Sequence, residues 1–217
     1  MQPPEARTLA SGLERLGLAL DADQQARLLA YQALIVKWNR VYNLTAVRDP
    51  SEMLTHHLLD SLSVIGPLRR HAAGRALRML DVGSGAGLPG VVIAIAEPSW
   101  QITCVDTVGK KASFIQQAAA ELGLRQLRSA HARVEEMPPA QADVVTSRAF
   151  ASLSDFTRLT DKHMAPGGTW MAMKGKAPTA EIAELPATLD VFHVEPLTVP
   201  DLDAERCLVW IRPKAAT

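Results

Sequence analysis

The fold of this chain is decided by the stretch MLDVGSGAGLPG (Met79–Gly90), in which an apolar run ends at an acid and four glycines follow within eight residues. This pattern predicts a strand that ends abruptly, turns and leads into a helix. Glycine has no Cβ, so it accepts a positive φ without strain and lets a ligand approach the backbone closely. The stretch therefore predicts a small molecule held against the main chain at the end of a strand.

Outward from this stretch, the apolar pattern divides the chain into a helical part and an alternating part. Helical spacing predicts three early helices. The first covers residues 5–16, the second begins after Asp21 and ends at about Tyr42 before Asn43, and the third begins at about residue 49 and ends at Gly66-Pro67. In the later segments, strand-like and helical apolar patterns alternate. The strand-like patterns predict strands at 77–82, 100–106, 125–130, 142–147 and 168–173. Helices are expected between them at 88–96, 109–122 and 152–163, and two final strands at 191–199 and 206–212.

This alternation predicts an α/β fold with a parallel, Rossmann-like sheet whose ligand lies beyond the carboxyl ends of the strands. The two final strands are expected to add a terminal antiparallel hairpin. We expect residues 1–74 to form an N-terminal helical extension packed on the core and residues 75–217 to form the catalytic domain.

The composition excludes several classes of protein. The 217 residues are 47% apolar and 21% charged, which is near the globular average and unlike disordered or membrane proteins. Lys and Arg total 23, as do Asp and Glu, so any polyanion must be held by a local basic patch. Cys104 and Cys207 lie in apolar runs, which indicates buried thiols of a reducing compartment, and the N-terminus has no signal-peptide pattern. A cytoplasmic protein is expected.

The glycine stretch also matches the dinucleotide pattern G-x-G-x-x-G, which alone is a weak signal. Asp81 precedes the first glycine by two residues, where its carboxylate can accept from a cationic amine or from loop amides. Pro89 has no N–H to offer where a diphosphate-binding helix would present one. A ligand with a charged amino-acid end therefore fits better than a diphosphate.

Other strand ends also carry polar residues. Asp106 ends the second strand, where such folds hydrogen-bond ribose hydroxyls, although a solvated acid at a strand end is common. The segment 131–136 follows the third strand and would lie beside an adenine. Ser147 and Arg148 end the fourth strand, near the transferred group, where Arg148 would orient a carboxylate or phosphate or else be an ordinary surface arginine.

His57, Asp60 and Ser61 fall on one face of the third predicted helix. The sequence lacks further ligands in a suitable cluster, so no metal site is predicted. We expect these three side chains to form a polar network packed against the glycine loop. The four tryptophans lie in apolar runs and are expected in the core or at its edge.

Five blocks together resemble the RsmG family, also called GidB, of bacterial 16S ribosomal RNA methyltransferases that modify guanine at N7 with S-adenosylmethionine. The resemblance extends from about Leu28 to Arg212. Its blocks are residues 80–90, Asn43-Leu44-Thr45, His57-Leu58-Leu59-Asp60-Ser61, Ser147-Arg148-Ala149-Phe150 and Lys174-Gly175.

The resemblance implies a class I S-adenosylmethionine-dependent methyltransferase sheet and a set of residues around the cofactor. Asp106 would hold the ribose, Val134 and Glu135 would flank the adenine, and Arg148 would line the methyl-transfer end. The full set of predicted cofactor residues is Asp81, Gly83, Gly85, Leu88, Asp106, Val134, Glu135 and Arg148. The blocks containing Asn43, His57, Asp60, Ser61 and Lys174 match without assigning individual roles, and the first twenty residues match no block.

The chemistry implied by the resemblance needs no general base, because guanine N7 carries an in-plane lone pair and has no proton to lose. No catalytic residue is therefore assigned, and Arg148 is predicted to be a positioning group. The expected partner is 16S ribosomal RNA or the small ribosomal subunit, bound by a monomer that has no membrane contact. Candidates for phosphate contacts are Arg40, Arg48, Lys110, Lys111, Lys174 and Lys176.

Three alternatives remain open from the residues alone. The same fold could methylate a small molecule or a protein, because the cofactor residues do not name the acceptor. A nicotinamide-dependent oxidoreductase is favoured only by the literal G-x-G-x-x-G. A non-catalytic RNA-binding module would show RNA affinity without turnover.

Overall fold

The computed structural model describes residues 3–148 and 150–214. Two of the early helices agree closely with the apolar pattern: α1 spans Pro4–Arg15 and α2 spans Ala22–Tyr42. Asp21 caps α2 as expected, because its side chain accepts from the Gln24 amide while the Gln24 side chain accepts from the Asp21 amide. Asn43 ends α2 in a left-handed conformation with φ 48°.

The prediction of one continuous third helix ending at Gly66-Pro67 was wrong. The segment begins as α3 (Pro50–Met53), widens into a π-helical stretch at Leu54–Leu59 and returns to α-helix in α4 (Asp60–Leu62). A separate helix, α5, then spans Ile65–Ala72 across Gly66 and Pro67. Proline is tolerated here because it lies in the first turn, where the backbone N–H has no intrahelical acceptor to satisfy.

The sheet has seven strands in the order β3-β2-β1-β4-β5-β7-β6. The first five are parallel, and β7 pairs antiparallel with both β5 and β6. This arrangement confirms the predicted parallel sheet with a terminal antiparallel hairpin. The strands are β1 (Arg78–Val82), β2 (Gln101–Asp106), β3 (Leu127–His131), β4 (Ala142–Ser147), β5 (Met164–Lys174), β6 (Leu189–Leu197) and β7 (Arg206–Pro213).

The remaining helices cover the sheet and connect its strands. The helix after the glycine loop, α6, spans Gly90–Ala96, so it begins two residues later than predicted. Short 3₁₀ turns follow β3 at Val134–Glu136 and α8 at Asp161–His163. The other helices are α7 (Gly109–Glu121), α8 (Leu153–Thr160) and α9 (Thr179–Ala183).

Two hydrophobic clusters lie on the two faces of the sheet. One joins the early helices to α6 and α7, so α1 and α2 share a core with the sheet; the other packs α8 beneath the opposite face. Trp100, Trp170 and Trp210 are buried, and both cysteines are buried free thiols, as expected. Among the described residues, no helix has the length and apolar character needed to cross a membrane.

The strand order places β1 and β4 side by side while their crossovers lead in opposite directions. Ligands of open α/β sheets bind at such a switch point, beyond the carboxyl ends of the strands. Asp81 and Thr146 pair across this boundary. The glycine loop after β1 and the segment after β4 therefore frame the predicted site.

Candidate active site

The glycine loop is fastened to the end of β2 by backbone hydrogen bonds. The Gly83 amide donates to the Val105 carbonyl at 2.9 Å, and the Gly85 amide donates to Oδ2 of Asp106 at 2.9 Å. The other carboxylate oxygen of Asp106 accepts from the Val108 amide at 2.9 Å. Asp106 thus fixes the loop and the start of α7 together, while its side chain borders the space between them.

Asp81 lies behind the loop and is fully buried. Its Oδ2 accepts from the Gly90 amide at 2.8 Å, and its Oδ1 has no hydrogen-bond partner among the described residues. Burial raises the pKa of Asp81 to about 7, against the opposing effect of the Gly90 amide. A Cβ on Gly90 would lie 2.4 Å from Sγ of Cys104 and 2.8 Å from Oδ2 of Asp81, so only glycine fits at the first residue of α6.

A third contact fastens the loop to the N-terminal helices. The buried hydroxyl of Tyr31 on α2 donates to the Ala86 carbonyl. The next residue, Gly87, has φ +89°, and a Cβ there would lie 3.3 Å from the Tyr31 hydroxyl and 2.3 Å from a Val91 methyl carbon. The early helices are therefore part of the support of the glycine loop.

A cavity of about 390 Å³ opens between the glycine loop, the end of β2 and the turn after β3. Four of the predicted cofactor residues line it: Gly83, Asp106, Val134 and Glu135. Its other lining residues are Val82, Val105, Thr107, Val108, Lys111, Ala132, Arg133, Phe150 and Leu159.

The other four predicted cofactor residues do not line this cavity. Asp81 and Leu88 are buried beneath the loop, and Gly85 is partly exposed, with its amide bound to Asp106. Arg148 lines a neighbouring cavity instead. Direct contact between these four residues and a cofactor stays a prediction.

Sequence reasoning missed several cavity residues, above all Phe150 and Leu159. The Phe150 ring lies 5.2 Å from that of Phe156 on α8, which orients it toward the cavity. Phe150 belongs to one of the blocks that carry the family resemblance, so the sequence could have indicated it as a site residue. Leu159 lies on α8 in an ordinary amphipathic pattern and carried no signal of its own.

A second cavity, of about 410 Å³, lies on the other side of the segment that follows β4. Its central feature is Asp60, which is 1% exposed and joins two arginines. Arg148 donates to Oδ2 of Asp60 at 3.1 Å, and Arg206 donates to Oδ1 at 2.9 Å. The complete lining is Val47, His56, His57, Asp60, Arg148, Met173, Lys174, Gly175 and Arg206.

His57 holds the wall of this second cavity. Its Nε2 lies 2.8 Å from Oγ1 of Thr45, whose amide donates to the Asn39 side chain. Burial lowers the pKa of His57 to about 4, so the ring is neutral at physiological pH. The imidazole and Asn39 together fix the loop after α2 against the π-helical stretch.

The expected polar network of His57, Asp60 and Ser61 exists only in part, and its hydrogen bonds do not lead to the glycine loop. His57 binds Thr45, and Asp60 binds Arg148 and Arg206. Ser61 is buried, and its Oγ has no partner among the residues described. The segment 54–59 is π-helical, so the α-helical spacing assumed for the prediction does not hold there.

The sequence matches a family model described as rRNA small subunit methyltransferase G, named GidB, over residues 24–209. The chain belongs to the GidB family. Its relatives match along nearly their whole length. A protein called ribosomal RNA small subunit methyltransferase G from Methylibium petroleiphilum is 59% identical, and the match covers 98% of this chain and 98% of that protein. A protein of the same name from Bordetella avium is 56% identical, and the match covers 98% of this chain and 95% of that protein.

Two solved structures share the fold at low sequence identity. A 1,6-didemethyltoxoflavin-N1-methyltransferase from Burkholderia thailandensis has a TM-score of 0.59 at 16% identity, covering 91% of this chain and 92% of its own. TrmN from Thermus thermophilus has a TM-score of 0.57 at 19% identity, covering 74% and 53%. These likenesses confirm a Rossmann-like class I methyltransferase fold for this GidB member.

The GidB blocks outside the glycine loop converge on the second cavity. His57 and Asp60, Arg148, and Lys174 with Gly175 all line it, while Thr45 supports it through His57. Ala149, in the block after β4, lies outside the described residues. Blocks far apart in sequence thus share one place, which the resemblance by itself did not show.

The basic residues predicted to contact phosphates are dispersed in the structure. Lys174 lines the second cavity but is paired with Glu181 at 2.8 Å, and Lys111 lines the first, 4.0 Å from Asp106. Arg40, Arg48, Lys110 and Lys176 are exposed. Arg206 was missed, because it lies 146 positions from Asp60 and follows a polar loop with no recognisable motif.

Proposed function

We propose that this chain transfers a methyl group from S-adenosylmethionine to N7 of a guanine in 16S ribosomal RNA. Membership of the GidB family supports ribosomal RNA as the acceptor. The observation that carries the proposal is the pair of adjoining cavities at the carboxyl edge of the sheet. One presents Asp106, apolar walls and Phe150, and the other presents a buried carboxylate with two arginines, one of which is Arg148.

The first cavity fits S-adenosylmethionine. Asp106 provides an acceptor for ribose hydroxyls while it holds Gly85 and Val108, because each carboxylate oxygen can accept more than one hydrogen bond. Val134 lies in the turn after β3, and its burial gives the adenine an apolar neighbour. The bound cofactor supplies an electrophilic methyl group on a sulfonium, and the chain's residues orient it.

The second cavity fits the RNA side of the reaction. Arg148, Arg206 and Lys174 outnumber the two carboxylates that pair with them, Asp60 and Glu181, so the cavity keeps a net positive charge that attracts phosphates. The same positive charge would oppose the cationic purine that forms on transfer. These side chains therefore position the nucleotide rather than stabilise the developing charge, and Asp60 keeps both arginines in place.

Positioning is sufficient for this reaction, because guanine N7 needs no deprotonation before it attacks the methyl carbon. No group in either cavity has to act as a general base. His57 is neutral and its Nε2 is engaged with Thr45, which is consistent with a structural role. Correct alignment of two reactants can lower the activation free energy by roughly 7–11 kcal/mol.

We also propose that the protein acts as a cytoplasmic monomer in which residues 1–74 form an extension of the methyltransferase domain at 75–217. The start of the sheet at Arg78 supports this boundary. The contact of Tyr31 with the glycine loop supports a functional role for the extension.

The proposal is tested by transfer of label from S-adenosylmethionine to small ribosomal subunits that lack the modification. The expected result is label at one guanine, located by chemical cleavage at 7-methylguanine. Label in protein or in a small molecule, or cofactor binding without any labelled RNA, would contradict the proposal. Binding of NADH in place of S-adenosylmethionine would favour the oxidoreductase alternative.

A further inference from the structure

A third cavity, of about 450 Å³, lies between the first turn of α1, the middle of α2 and the start of α3. It shares no lining residue with the two cavities at the sheet edge. Its volume is within the range of roughly 300–1,000 Å³ typical of small-ligand sites. Neither the cofactor nor the target guanine accounts for it.

The walls of this third cavity are mainly apolar. Leu29, Ala33 and Val36 lie on one face of α2, and Pro3 and Pro50 contribute ring surfaces from α1 and α3. These aliphatic surfaces favour burial of a flat, weakly polar group, such as an unpaired base, through the hydrophobic effect rather than through aromatic stacking.

Gln32 gives the cavity a polar side chain of which one atom is used within the described residues and the other is not. Its side chain is 4% exposed, and Nε2 donates to the Pro50 carbonyl at 2.6 Å, which fixes the orientation of the amide. Oε1 is buried and has no hydrogen-bond partner among the residues described. Because a buried acceptor is costly to leave unpaired, this oxygen is suited to an N–H donor from a bound group.

Two cations flank the cavity and are available for phosphates. Lys37 and Arg40 are one turn apart on α2, both are exposed, and neither forms an ion pair within the described residues. Glu5, on α1, is the acid in the lining. The cations outnumber the acid, so the rim favours an anion.

We propose that this cavity binds an unpaired nucleotide of the RNA substrate, distinct from the guanine that is methylated. The base lies between the apolar walls beside the Gln32 amide, while Lys37 and Arg40 contact its flanking phosphates. Single-stranded RNA is commonly recognised through bases that are splayed out in this way. This inference rests on the proposed function, because it takes the polyanion that the second cavity attracts to be RNA.

A site-directed photo-crosslink tests the placement. Both native cysteines are buried, so the exposed position in Ala33→Cys can be labelled selectively with a thiol-reactive photo-crosslinker. The expected result is a crosslink to one RNA nucleotide that is not the methylated guanine, mapped by reverse-transcription stops. A matched label at Arg128→Cys, on the amino-edge side of β3, should crosslink weakly and at no preferred nucleotide. Absence of an RNA crosslink from position 33, with turnover retained, would overturn the inference.

A charge-reversal pair tests the energetics. Lys37→Glu combined with Arg40→Glu should raise the KM for small subunits roughly tenfold. The magnitude of the slope of log affinity against log salt concentration should fall by about two, because two phosphate contacts are lost. The same reversal at Arg125 and Arg128, on another face, should leave both quantities near wild type. Cofactor affinity should not change in either variant.

The two failures can be told apart in this assay. If wild-type protein methylates ribosomal RNA but the Lys37 and Arg40 reversal leaves KM and salt slope unchanged, the inference is wrong and the proposed function stands. If wild-type protein binds cofactor but labels no ribosomal RNA, the proposed function fails, and with it the basis for this inference.

Discussion

The two cavities at the carboxyl edge of the sheet are similar in volume, about 390 and 410 Å³, but their charges differ. The first is lined by two acids and two cations, and apolar side chains from several strands form its walls. The second is lined by three Lys or Arg side chains and one carboxylate, that of Asp60. A balanced cavity suits a small zwitterionic molecule, and a cationic one suits the phosphates of RNA. The comparison indicates a division of labour, in which the first cavity binds the cofactor and the second binds the RNA.

The largest expected effect comes from removing Asp106. Asp106→Ala loses the acceptor for the Gly85 and Val108 amides as well as the carboxylate that faces the cavity. Affinity for S-adenosylmethionine should fall roughly 100-fold, or about 3 kcal/mol, in equilibrium binding. Glu136→Ala, an exposed acid nearby, serves as the control. If small-subunit affinity fell as much as cofactor affinity, the division of labour would be wrong.

Arg148→Met tests the opposite side of the comparison. It removes the guanidinium that binds Asp60 and the His56 carbonyl in the second cavity. We expect kcat/KM for small subunits to fall roughly 30-fold, or about 2 kcal/mol. Because Arg148 lines the second cavity and not the first, we expect cofactor affinity within about twofold of wild type, which would count against the predicted cofactor contact of Arg148. Arg212→Met, in an exposed pair with Asp190, is the matched control. A large loss of cofactor affinity would instead place Arg148 on the carboxylate of S-adenosylmethionine.

The glycine loop, which borders the first cavity, can be strained without altering charge. In Gly90→Ala the new methyl group would overlap Cys104 and Asp81, so the free energy of unfolding should fall by about 2 kcal/mol in chemical denaturation. Gly66→Ala is the control, since a Cβ there meets only an Arg70 side-chain nitrogen at 3.7 Å. Equal stability of both variants would show that the contact behind the loop relaxes freely.

The charge state of Asp81 predicts a pH dependence of stability. Its pKa is raised to about 7 in the folded protein from 3.8, so its contribution to stability is fully present below pH 4 and is lost as the pH rises through 7. Between pH 5 and 8 the wild type should lose about 2 to 3 kcal/mol relative to Asp81→Asn, because most of the interval between the unfolded and folded pKa values lies in this range and a pKa unit corresponds to about 1.4 kcal/mol. The free energies of unfolding of the two proteins across this range provide the measurement. Parallel curves would contradict an acid that is buried and protonated at low pH.

The smallest effects are expected at two exposed lysines, Lys110 and Lys176, which adjoin cavity-lining residues in the sequence. Lys110→Ala and Lys176→Ala should each weaken small-subunit binding by only two- to threefold and lower the salt slope by about one. Lys214→Ala, after β7 at the amino edge of the sheet, is the control. If the slope of log affinity against log salt concentration changed in neither lysine variant, these two lysines would not contact the RNA.

The sequence was sufficient for features that depend on neighbouring residues. The glycine loop, the acid ends of β1 and β2 and the capping of α2 follow from local rules, and the structure contains all three. The resemblance supplied the family, which the family-model match over residues 24–209 shows.

Features that depend on distant residues or unusual geometry were not predictable. Arg206 meets Asp60 only because the hairpin returns β7 beside β5, and no local pattern records that contact. The π-helical stretch at 54–59 was not predicted, because apolar spacing does not distinguish it from an α-helix. Lys174 carried the correct charge for a phosphate, but its pairing with Glu181 depends on how α9 folds back.

Amide hydrogen exchange distinguishes the roles of the two cavities, because it reports both in one experiment. With S-adenosylmethionine alone, we expect protection at residues 83–85, 106–108 and 134–135, and no change at 45–47, 56–57 or 174–175. Small ribosomal subunits lacking the modification should then protect the second group. Protection of the second group by the cofactor alone, with the first group unchanged, would contradict the assignment of the two cavities.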